Sequence, residues 1–250
     1  MPDLLAQALA TPGLIWLAGA VMVAGLVRGF SGFGSAMIIM PAASSVFSPV
    51  GAVLFLTAVE LFGPLPNLRS ALNTGTLADV ARLGLGAMLA LPVGIWVLAT
   101  LSSDVFGWSV SLVVLVLLAV IMTGWRYRGH LSPRLITGTG ALGGFLSGAV
   151  GIPGPPVIML YMASTLPISV IRANFLMYLL MIDVLMIAVI AVFGLFQAVP
   201  VVAALVLILP YMLANALGAL LFDPSAERVF RWVAYAIVAA SALLGLPIWS

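Results

Sequence analysis

Apolar stretches follow one another along this chain, with polar residues confined to short gaps between them. Apolar runs cover residues 14–27, 36–46, 49–65, 80–101, 105–125, 135–150, 157–164, 169–196, 199–222 and 229–246. Their sides do not alternate between apolar and polar, so they predict helices buried on every face and not half-exposed strands. About 20 apolar residues cross a bilayer, and the pattern predicts an all-α polytopic membrane bundle of about eight spans. The first and fifth spans are interrupted, at residues 28–35 and 151–156. Their outer pieces are short for a crossing, which favours four spans on each side of the basic stretch at 126–134, and parallel repeats, over five spans and inverted repeats.

The two interruptions resemble each other. Gly25 and Gly144, Gly29 and Gly148, Gly32 and Gly151, Ile39 and Ile158, Met40 and Met159, and Ser45 and Ser164 are each 119 residues apart (144 − 25 = 119). The chain therefore divides into a first repeat at 1–125, a basic linker at 126–134 and a second repeat at 135–250. Gly/Pro-broken apolar segments at matching places point to a transporter binding site. Breaking a helix frees backbone N–H and C=O groups that lipid cannot satisfy, so they must face protein, ligand or water. A half-helix N-terminus presents N–H donors and partial positive charge, which suits an anion. The two breaks are expected to meet near the midplane and grip an anionic solute.

Composition supports a lipid solvent. Hydrophobic residues make up 64% of the chain and charged residues 6%, against about 25% charged in an ordinary soluble domain. The net charge of +2 comes from arginines alone, with no Lys. That pattern fits loop charges that orient a membrane protein and not a nucleic-acid binder. Arg126, Arg128 and Arg134 form the densest basic loop and are placed in the cytoplasm, which puts the N-terminus there too. The N-terminus lacks a basic region and a small-residue cleavage site, so its first apolar run reads as a permanent span. Without Cys there are no thiolate metal sites or disulfides, and without Lys there is no phosphate-binding loop. A single His, His130, excludes a multi-histidine metal site within one chain. No cofactor is expected, and neither is an intramembrane enzyme.

Candidate site residues follow from this frame. Arg28 borders the first break, where its planar fork suits a sulfonate or carboxylate; the alternative is an interfacial arginine snorkelling to headgroups. Gly32, Phe33, Gly34 and Ser35 form the first cradle, and Gly151, Ile152, Pro153 and Gly154 the second. Arg172 and Asn174 follow the second break, and Tyr178 lies one turn beyond Asn174 on the same face. Glu60 and Asp183 are the acids deepest within runs and are candidates for coupling to a proton or sodium ion, or for pairing with arginine. Pro64 and Pro66 should end or kink the second span.

The motif Gly29-x-x-Gly32-x-Gly34 leading to Pro41, echoed by Gly148-Ala149-Val150-Gly151-Ile152-Pro153-Gly154, resembles the sulfite exporter TauE/SafE family of membrane transporters. The likeness extends over about 14–246. Pro153, Pro155 and Pro156 stand where that family more often carries glycine, and the first glycine run stops at Ser35. The resemblance implies a multi-pass inner-membrane carrier for sulfite, sulfonates such as sulfoacetate, or carboxylates, with room for a homo-oligomer. An anion channel is the rival reading. It would show flux that does not saturate.

Overall fold

The computed structural model describes residues 2–123, 131–161, 164 and 166–248, with the side chains of residues 2, 66, 224 and 227 outside the description. The linker residues Arg126, Arg128 and His130 therefore lie outside the described residues.

All regular structure among the described residues is helical. In chain order the helices are α1 (Pro2–Leu9), α2 (Leu14–Ser31), α3 (Ser35–Ser44), α4 (Pro49–Glu60), α5 (Leu68–Thr74), α6 (Leu77–Thr100), α7 (Ser103–Met122), α8 (Pro133–Val150), α9 (Gly154–Tyr161), α10 (Ile168–Val192), α11 (Ala198–Leu221) and α12 (Glu227–Leu244). Five of them, α2, α6, α7, α10 and α11, are long and apolar enough to cross a membrane. α8 and α12 reach 18 residues, but glycine and hydroxyl groups dilute the first and early charges the second. α3 and α4 are shorter apolar helices.

Local sequence sets the boundaries. α2 ends where Gly32 adopts φ +77°, its N–H donating to the Arg28 carbonyl at 2.8 Å. A left-handed residue costs glycine nothing and other residues about 1–2 kcal/mol. Gly34, at φ +93°, then starts α3 in a new direction. Ser132 caps α8 by accepting from the Leu135 N–H, with Pro133 in the first turn. Gly151, at φ +73°, ends α8 as Gly32 ends α2. The second span stops at Glu60, and Pro64 leads into a single 3₁₀ turn over Leu65–Asn67 before α5 begins. Proline supplies no N–H to continue an α-ladder. α5 reads as loop in the sequence because Asn67, Arg69 and Asn73 interrupt its apolar pattern.

Two compact units arise. Unit 1 comprises Met1–Val59, Leu101–Ala119 and Phe196–Ser250; unit 2 comprises Glu60–Thr100 and Val120–Leu195. Each unit draws helices from before and after the basic linker.

Within unit 1, α2 lies along α11. A Cβ on Gly25 would lie 2.7 Å from the Tyr211 carbonyl oxygen, and one on Gly29 would press on the Asn215 carbonyl and lie 2.8 Å from Gly218 Cα. Backbone meets backbone there, which small residues permit. α12 covers α3, and the Ser241 hydroxyl donates to the Ile38 carbonyl at 2.7 Å. Within unit 2, α6 lies along α8 by the same device. A Cβ on Gly144 would be 2.7 Å from the Ala87 carbonyl oxygen, and one on Gly148 would be 2.8 Å from the Ile95 nitrogen and 2.9 Å from the Gly94 carbonyl carbon. α9 and α10 pack against α8.

Candidate functional site

The first break is built by the end of α2, the start of α3 and one face of α11, all in unit 1. Arg28 falls in the last turn of α2, half-buried, where its charge offsets the carbonyl end of that helix. Its Nη1 donates to Ser35 Oγ at 3.1 Å and to the Tyr211 hydroxyl at 3.2 Å. These two contacts set the guanidinium beside the first residue of α3. No side chain caps α3 at Gly34, so its first turn presents backbone N–H groups at the helix end. The Ser31 hydroxyl braces the corner, its Oγ 2.6 Å from the Val27 carbonyl oxygen and 2.8 Å from the Phe33 carbonyl oxygen, either of which can accept its single proton. Phe30 closes the end of α2 against Phe230, ring centroids 5.2 Å apart. The arrangement concentrates donors and positive charge in one corner, the chemistry that oxyanion recognition needs.

Arg28, Gly32, Phe33, Gly34 and Ser35 lie together at this corner. Tyr211 joins them without having been singled out. It sits in a uniformly apolar run, and its pairing with Arg28 spans 183 residues. The signal for it was the register of α11 against the Gly25/Gly29 pair.

The second break lies in unit 2. The Gly151 N–H donates to the Ser147 carbonyl at 2.8 Å and the Ile152 N–H to the Leu146 carbonyl at 3.3 Å. Gly151, Ile152 and Pro153 are buried, and α9 then starts at Gly154 with Pro155 and Pro156 in its first turn. Tyr178 is brought to this break: its hydroxyl lies against Gly143, two turns before the end of α8.

The other candidates are more dispersed. Asn174 is fully buried; its Oδ1 accepts from the Thr76 N–H at 2.7 Å and its Nδ2 donates to the Tyr161 hydroxyl at 3.4 Å. Asn174 thereby fixes the corner between α5 and α6. We expect Asn174→Ala to cost roughly 1–3 kcal/mol of stability through these lost bonds, measured by thermal unfolding in detergent; an unshifted midpoint would show the corner to be held by other contacts. Arg172 is exposed in the early part of α10. Glu60, the last residue of α4, and Asp183, in α10, are both buried. A third buried acid, Asp79, escaped notice because it precedes the apolar run. It accepts from Arg82 at 2.8 Å in the first turn of α6. Beyond the spans, the Ser225 N–H donates to Asp223 Oδ1 at 2.8 Å, and this backbone bond holds the Asp223 carboxyl below the usual range.

The described residues form helices alone, several of membrane length and with glycine-bounded interior breaks, which is the build of a polytopic membrane protein. The model of the sulfite exporter TauE/SafE family matches residues 17–244, and the chain is a member of that family. Comparison with curated proteins and with solved structures gives no match. The family and the apolar helices together make it a multi-pass membrane protein that works in transport.

Proposed function

We propose that this chain is a secondary carrier for a small sulfur-containing or organic anion, such as sulfite, a sulfonate like sulfoacetate, or a carboxylate, across the bacterial inner membrane. The observation that carries this reading is the placement of Arg28 by Ser35 and Tyr211 beside the uncapped start of α3. The anionic head accepts from the guanidinium and from the first-turn N–H groups of α3, while Gly32, Phe33 and Gly34 shape the approach. A broken helix with its donors turned toward a solute is a recurrent device of carriers. The matched glycine contacts in the two units support a duplicated chain: Gly25 and Gly29 meet α11 at positions whose spacing, Tyr211 to Gly218, equals that of Ala87 to Gly94 beneath Gly144 and Gly148. The buried carboxylates Glu60 and Asp183 serve in coupling.

Uptake of labelled sulfite, sulfoacetate and lactate into proteoliposomes, with and without pH or sodium gradients, tests the proposal. Saturable uptake of at least one of these anions is expected. Flux that ignores all three would overturn the substrate class, and flux linear to high concentration would favour a channel.

A further inference from the structure

The two breaks share a backbone plan and differ in chemical sign. Shifting by 119 residues, Arg28 is replaced by Ser147, Ser35 by Gly154, Ala36 by Pro155 and Met37 by Pro156. On the partner helix Tyr211, which faces Gly25, is replaced by Ala87, which faces Gly144. The position that matches Arg28 therefore carries no guanidinium, and the short helix of the second break lacks two first-turn N–H donors. It keeps acceptors instead. No basic residue occupies the last turn of α8, so that carbonyl end keeps its partial negative charge. The Pro153 carbonyl oxygen lies 3.0 Å from the Cβ position of Gly143, the same position that the Tyr178 hydroxyl oxygen crowds. Tyr178 is 0% exposed, and its hydroxyl has no hydrogen-bond partner among the described residues. A buried hydroxyl without a partner is costly and rare, so this one marks a place where a ligand completes the bonding.

We infer that the second break binds a small hard monovalent cation, sodium, with the Tyr178 hydroxyl and the Pro153 carbonyl among its oxygen ligands. Oxygen-only donors select hard cations, and unwound carbonyls with a half-helix C-terminus are the groups that hold sodium inside a bilayer. No cluster of three acids or histidines is found among the described residues, which argues against a divalent ion. The consequence for transport rests on the carrier reading: the donor-rich break takes the anion and the acceptor-rich break takes the cation that accompanies it.

Thermal unfolding of the purified full chain in detergent tests the site without any transport assay. Sodium chloride is expected to raise the midpoint by a few degrees over equal potassium or choline chloride. Tyr178→Phe should lose that rise and, in choline, unfold no earlier than the wild type, because it sheds a buried unpaired hydroxyl. Arg28→Ala should keep the sodium response, so a failed anion assay and a failed cation site read out separately. An identical midpoint in all three salts overturns the inference, even if Tyr178→Phe does not fold. A sodium-specific rise that survives in Tyr178→Phe overturns the assignment to this break.

Discussion

Arg28→Ala is expected to lower kcat/KM for the transported anion by about 10- to 150-fold, the equivalent of a charge-assisted hydrogen bond worth about 1.5–3 kcal/mol. The guanidinium brings a full charge to the first break, and Ser35 and Tyr211 hold it where α3 begins. Alanine leaves the N–H groups of α3 in place, so some recognition survives. Arg28→Lys should recover only part of the loss. An ammonium keeps the charge but not the planar fork that reaches two hydroxyl oxygens and an oxyanion together. Tyr211→Phe should fall between lysine and wild type, raising KM more than it lowers kcat, since it loosens the arginine without removing it. Initial uptake rates against anion concentration, on protein of equal folded yield, give all three values. Wild-type kinetics in Arg28→Ala would remove the anion contact and with it the basis of the proposed site.

Gly148→Leu is expected to abolish folding of unit 2, and Gly148→Ala to cost about 1–3 kcal/mol or more. A Cβ at Gly148 meets only backbone: the Ile95 nitrogen at 2.8 Å and the Gly94 carbonyl carbon at 2.9 Å. Backbone cannot rotate away as a side chain can, so the strain is relieved only by parting α6 from α8. That contact is the main helix pairing of unit 2. Gly138→Ala, in the same helix, is the control. Nothing lies within 4 Å of its Cβ position, and alanine gains roughly 0.5–1 kcal/mol over glycine in a helix interior. Size-exclusion profiles and unfolding midpoints in detergent separate the variants. A Gly148→Leu protein with a normal midpoint would show that the two helices do not touch there.

The helices were legible because their apolar runs are long and nearly uninterrupted, a signal that lipid demands and soluble proteins avoid. The breaks were legible from glycine alone, and the observed ends fall within a few residues of the expected ones. Arg28 was read as the edge of the break, yet it completes the last turn of α2, because Gly32 and not Gly29 takes the left-handed backbone. Gly29 serves instead as a contact with α11. The Gly25–Gly29 pair and the Gly140–Gly144–Gly148 series recur at four-residue steps, a packing signal present in the sequence and overlooked beside the breaks. Among the described helices, α5 was hidden by its polar residues.

What the chain's sequence settles by itself is its apolar, helical character and the places along it where the backbone is interrupted, since these depend on local hydrophobicity and on which residues permit a left-handed turn. Partnership was decided only by tertiary structure. Nothing local couples Arg28 to Tyr211 or Tyr178 to Gly143. Arg28 meets Tyr211 because Gly25 and Gly29 let α2 approach α11 to backbone contact, and the Tyr178 hydroxyl reaches α8 because Gly143 carries no side chain there.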